Sequence, residues 1–138
     1  MRDRIGVVLR VRRIQERLAQ AEAAAAACEA RRASDTRVEQ ERAHAERPVV
    51  GLDITPLQLR VLQLQGLASY AELAAASSAE DRTKALRDTA RAASVGASVR
   101  RKGAERLVEQ RLESAAVAVA ANAQRSLDEM AVTRWRVH

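Results

Sequence analysis

The stretch that most constrains the fold opens at Thr55-Pro56-Leu57, and the 82 residues beyond Pro56 contain no further proline. Thr55 suits an N-cap, and Pro56 suits the first helical position, where a missing N–H leaves no intrahelical acceptor unpaired. Apolar residues recur in steps of four and three at Leu57, Val61, Leu64, Ala68, Ala71 and Ala75. Such spacing turns one stripe toward one partner, as in a coiled coil. It predicts a helix over 56–135, about 120 Å long if unbroken at ~1.5 Å per residue. Two weak points, Ser77-Ser78 and the run from Ser94 to Gly103, are where this helix is expected to bend if it bends at all.

Upstream, a first helix is predicted over 3–46. Its seam reads Val7, Val11, Ile14, Leu18, Ala21, Ala25 and Cys28, again in steps of four and three. Arg32 and Asp35 then interrupt the pattern, which reads as a stutter. Between the helices, residues 47–55 hold Pro48 and Gly51 in a short span that ends just before Pro56, the signature of a hairpin turn. Val49, Val50, Leu52 and Ile54 are expected to cap the hairpin core, and Cys28 to be a buried small apolar residue. The fold class is therefore all-α: a single-domain, elongated antiparallel two-helix coiled-coil hairpin whose second helix is the longer.

Pairing outward from a turn centred near residue 52 sets Leu18 abreast of Leu86 and Val7 near Val95. Residues from about Val99 onward then overhang. That overhang carries Val108, Leu112, Val119, Leu127 and Met130. A second apolar face, Leu59, Leu62, Tyr70 and Leu73, flanks the seam just after the turn and suggests a partner or further packing.

Composition narrows the function. The chain has 30 alanines, no phenylalanine, one tryptophan and one tyrosine, too little large apolar side chain for a globular core. His44 and His138 are the only histidines, Cys28 stands alone, and no glycine-rich phosphate loop occurs. Neither a metal site, a cofactor site nor a small-molecule substrate site is expected, and the chain reads as non-enzymatic. No apolar run approaches the ~20 residues of a membrane span, and Arg10, Arg12 and Arg13 end the apolar start too early for a secretory signal. A cytoplasmic location is expected.

The net charge is +6, and the first 20 residues hold Arg2, Arg4, Arg10, Arg12, Arg13 and Arg17 against Asp3 and Glu16. A basic end suits an acidic-lined pore or nucleic acid. Nucleic-acid binding is the lesser alternative, because bases alternate with acids and stacking aromatics are nearly absent. A structural, self-associating rod is the other.

Four segments resemble the flagellar export protein FliJ family. They are the opening Arg4-Ile5-Gly6-Val7-Val8-Leu9-Arg10, the second-helix start Thr55-Pro56-Leu57-Gln58-Leu59-Arg60, the run Arg101-Lys102-Gly103-Ala104-Glu105-Arg106-Leu107, and the close Leu127-Asp128-Glu129-Met130-Ala131 with Arg134. The resemblance implies a coiled-coil stalk of the type III export apparatus, peripheral to the inner face of the cell membrane. Its implied partners are the export ATPase ring, an export gate protein and export chaperones. On that basis Arg10, Arg12, Arg13, Leu127, Asp128, Glu129 and Met130 are candidate ATPase contacts. Leu59, Leu62, Tyr70 and Leu73 are candidate gate contacts.

Overall fold

A computed structural model describes residues 2–47, 51 and 53–136. They form two helices, α1 (Arg2–Ala45) and α2 (Pro56–Arg136), packed against each other with the second longer. The expected core-capping role of Val49, Val50 and Leu52 lies outside the described residues; Ile54 is half-buried.

Local signals set the helix ends. The Thr55 hydroxyl accepts from the Gln58 backbone N–H at 3.3 Å, while the Gln58 side-chain oxygen accepts from the Thr55 N–H at 2.9 Å. This reciprocal capping box starts α2, with Pro56 as its first residue. At the end of α1, Arg42 and His44 place basic side chains against the carbonyl end of the helix dipole. α2 is unbroken through Ser77-Ser78 and through Gly103. Several hydroxyls that would compete with the helix instead bond back to it, as Thr89 does to the Ala85 carbonyl and Ser114 to the Gln110 carbonyl.

The chain divides into two compact units, one of residues 17–96 and one of residues 1–16 with 97–138. In the first unit, Arg37 meets Glu80 at 2.6 Å and His44 meets Ser69 at 2.9 Å, so the helices run antiparallel. The inner face of α1 there is Ala19, Ala23, Ala26, Ala30, Ala33 and Arg37, and that of α2 is Leu62, Gly66, Ser69, Leu73, Ala76 and Glu80. Both follow the four–three rhythm, but two residues out of step with the expected seam. At ~100° per residue, two residues turn a helix by about 200°. The expected seam therefore faces outward: Leu18 is 60% exposed, Leu57 74%, and Cys28 is exposed rather than buried.

The physical reason lies in what the inner face contains. Glu80 is only 5% exposed and is held by Arg37 at 2.6 Å and by Lys84 at 2.8 Å. Around these charges the stripe is alanine, glycine and serine, so the backbones approach closely and Ala30 retains 4% exposure. The large-residue stripe offers more apolar area but no partner for these charges. Register also differs from expectation. With Arg37 abreast of Glu80, Leu86 falls abreast of Arg31, and Leu18 lies 13 residues, or about 20 Å, from that level.

The shift traces to the turn. Arg47 donates to the Leu62 carbonyl at 2.9 Å, and its guanidinium lies where a side chain on Gly66 would begin, 2.7 Å from an added Cβ. An alanine there would have to push the flexible guanidinium aside. The first six residues of α2, 56–61, thus precede its pairing with α1, which begins at Leu62.

In the second unit the same chemistry recurs. Glu16, 8% exposed, meets Arg101 at 2.5 Å, and Arg101 also meets Glu105 at 2.5 Å. Arg13 meets Glu105 at 3.4 Å. Ile5, Leu9, Arg12 and Glu16 face Ala97, Arg101, Ala104 and Val108. Val7 falls abreast of Arg111, not Val95, and pairing persists through Val108. Residues 109–136 are exposed throughout; Arg111 still lines a cleft with Ile5 and Val8, and α2 overhangs the start of α1 only from about Ala116.

Candidate functional site

Two surfaces carry the candidate contacts. The first is in the unit that holds the start of α1 and the end of α2. Arg10 is exposed, and Arg13 is engaged by Glu105. Arg12 turns toward the inner face, half-buried, and donates to Gln15 at 3.1 Å. The three arginines therefore do not form one free cationic patch: Arg10 presents its charge to solvent, while Arg12 and Arg13 spend part of theirs within the unit. Beside them a small cleft of about 150 Å³ is lined by Ile5, Val8, Ala104, Leu107 and Arg111.

On the free end of α2, Leu127 and Met130 are each more than half exposed. They lie three residues apart and so share one side of the helix. Asp128 accepts from the Gln124 side-chain amide at 3.0 Å. The Glu129 carbonyl accepts from Thr133 at 2.8 Å, and the Glu129 side chain is in solvent. Arg10 stands near the level of Leu107, about 30 Å along the helix from Leu127. The basic start and the apolar pair are thus separate contact points.

One acid and one base here hold each other electrostatically. The Glu105 carboxyl sits below the ordinary glutamate range, chiefly through its hydrogen bond from Arg101 and secondarily through Arg13. Arg101 is correspondingly raised, with Glu105 the leading cause and Glu16 contributing.

The second surface is the opening of α2. Leu59 and Tyr70 are exposed and reachable. Leu62 and Leu73 are half-buried on the inner face, so much of their surface is spent on the hairpin. Between the turn and α2 an open apolar groove of about 520 Å³ is lined by Asp53, Ile54, Leu57, Gln58, Val61, Leu62 and Gln65. His44 contacts the Ser69 hydroxyl and tilts at 59° against Tyr70, 6.4 Å between ring centres. The signal for that contact was the helical spacing of His44 from Arg37, which places both on one face.

Among the described residues, no three His, Cys, Asp or Glu side chains gather as a metal site, and no helix is long and apolar enough to cross a membrane. No family model matches the chain, and neither curated proteins nor solved structures yield a significant match.

Proposed function

We propose that this chain is a non-enzymatic component of a flagellar type III protein export apparatus, a FliJ-like coiled coil that works by docking. In this reading the free end of α2 engages the export ATPase ring. The opening of α2 meets the export gate protein, the chain helps recycle export chaperones, and the assembly sits at the inner face of the cell membrane. The observation that carries the reading is the exposed end of α2 beyond about Ala116, on which Leu127 and Met130 stand clear of α1. Apolar side chains kept exposed on an ordered helix are anchors in search of a pocket. The segment also contains the Leu127-Asp128-Glu129-Met130 run that resembles the family's close.

The charges divide the labour. Leu127 and Met130 supply affinity, with Asp128 and Glu129 at the rim. Arg10, with Arg12 and Arg13 behind it, steers encounter with an acidic surface. Leu59 and Tyr70, the exposed members of the second face, make the gate contact, and Leu62 and Leu73 hold the helix that presents them.

The test is stimulation of the purified cognate ATPase. Leu127→Ala with Met130→Ala removes two exposed anchors, so helicity stays near the parent while stimulation falls. Arg10→Gln slows association and flattens its salt dependence. A Leu127/Met130 variant that stimulates like the parent, beside a Leu59/Tyr70 variant that does not, reverses the assignment of the two ends.

A further inference from the structure

Among the described residues, nothing in the unit that carries it covers the outward stripe at the start of α2. Leu57, Val61 and Leu64 are exposed, and so are Ala68, Ala71 and Ala75, which continue the same line. Leu67 is exposed along one edge. We infer that this stripe is a homodimer surface, on which the same stripe of a second copy of this chain packs antiparallel, related by a two-fold axis at the level of Gly66.

The size order along the stripe selects this occupant. Its first half is large and its second half is alanine. Under the two-fold, Leu57 meets Ala75 of the second copy, Val61 meets Ala71, and Leu64 meets Ala68, so every layer holds one large and one small side chain. In-register parallel pairing sets Leu57, Val61 and Leu64 against themselves and leaves alanine against alanine at the other end. The helices would then splay, with voids at the alanine end.

Charge agrees. From Pro56 to Ala75 the chain carries one base, Arg60, and one acid, Glu72, hence no net charge in a chain of +6. On the edges of the antiparallel pair, Arg60 faces Ala74 of the second copy and Glu72 faces the Gln58 amide, a hydrogen-bond donor. Leu67 meets its own symmetry mate. No like charges oppose each other, which is the condition for approach of two identical surfaces. The groove lined by Ile54, Leu57 and Val61 adds apolar wall where the alanine end of the second copy enters. The face is about 27 Å long and ~10 Å wide, smaller than the interfaces of stable complexes. The dimer is therefore reversible and concentration-dependent. It stands independently of the ATPase reading, since it uses neither Leu127, Met130 nor the basic start.

The experiment uses the full chain without any partner. Light scattering across a concentration series should rise from 15.1 kDa toward twice that mass. Val61→Glu with Leu64→Glu should hold the mass at the monomer value while circular dichroism stays helical, because both positions point away from the hairpin seam. A second arm does not depend on that variant folding. In a Cys28→Ser background, Leu57→Cys and Ala75→Cys chains are made separately, mixed and oxidised. The mixture should give a disulfide-linked pair, and Leu57→Cys alone should not, since its two copies lie about 27 Å apart along the axis. A parent that stays at 15.1 kDa throughout overturns the inference. So does cross-linking of Leu57→Cys with itself, or a dimer whose mixed chains fail to cross-link.

Discussion

Arg37 and Glu80 meet at 2.6 Å across the two helices, on a stripe whose neighbouring positions are Ala30, Ala33 and Ala76. An ion pair set among alanines does two things. It excludes registers that would leave either charge without its partner, and it makes the small-residue face the one that must pair. Glu16 and Arg101 repeat the arrangement in the other unit. If the pair sets register, Arg37→Gln and Glu80→Gln each lower the thermal midpoint, and the double variant costs clearly less than the sum. Additive losses in that cycle would mean that the two side chains are not coupled.

Acid should act on the same groups. Glu80 is held below the ordinary carboxylate range, first by the hydrogen bond from Lys84 and then by Ser34 and Arg37. Glu105 is lowered by Arg101 and Arg13. A carboxyl whose folded value lies below its unfolded value stabilises the fold at any pH above the unfolded value, about 4.3. That contribution disappears as pH falls through the lowered folded value. The thermal midpoint should hold steady from neutral pH down to about 5 and drop below about 4.3, and Glu80→Gln with Glu105→Gln should make the drop shallower. A midpoint that rises on acidification contradicts the pairing.

Packing predicts an asymmetry between buried alanine and exposed leucine. Ala30 and Ala97, 4% and 3% exposed, sit where the helices come closest. Ala30→Leu or Ala97→Leu should cost about 1–3 kcal/mol through overpacking. Leu18→Ala, on the outward face, should stay within about 0.5 kcal/mol. Urea unfolding followed by circular dichroism measures both, and a Leu18→Ala loss larger than that of Ala30→Leu would invert the assignment of faces.

The glycines make a matched pair. Nothing lies within 4 Å of an added Cβ at Gly103, so Gly103→Ala should stabilise by about 1 kcal/mol through helix propensity alone. At Gly66 the Arg47 guanidinium occupies that space. Gly66→Ala should therefore gain less in the parent than in an Arg47→Ala background. Equal gains in the two backgrounds would show that the Arg47 contact does not hold the turn.

Much of the fold was legible. Thr55 and Pro56 announced the start of α2, and the four–three rhythm announced two long helices. The face was misjudged because each helix carries two such rhythms about 200° apart. One is rich in Val, Ile and Leu, the other in Ala with single Arg and Glu residues. Hydrophobicity alone favours the first, and the second is recognised only when Glu16 is matched with Arg101 and Arg37 with Glu80 across the turn. The register was misplaced because pairing outward from residue 52 leaves out the contact of Arg47 with the Leu62 carbonyl beside Gly66. Of the candidate site, the exposed Leu127 and Met130 followed from the length mismatch. The engagement of Arg13 by Glu105 depends on register and was not accessible from spacing.

The central claim is that the helices pair through the alanine stripe with its buried charges. Thiol labelling under native conditions tests it most directly. Cys28 lies on the outward face and is exposed, and Ala30, two residues on, lies inside. The native Cys28 should label nearly as fast as in urea, and Ala30→Cys in a Cys28→Ser background should label at least about tenfold more slowly, limited by helix opening. Protection at Cys28 with rapid labelling at Ala30→Cys would place the large-residue stripe inside and contradict the account.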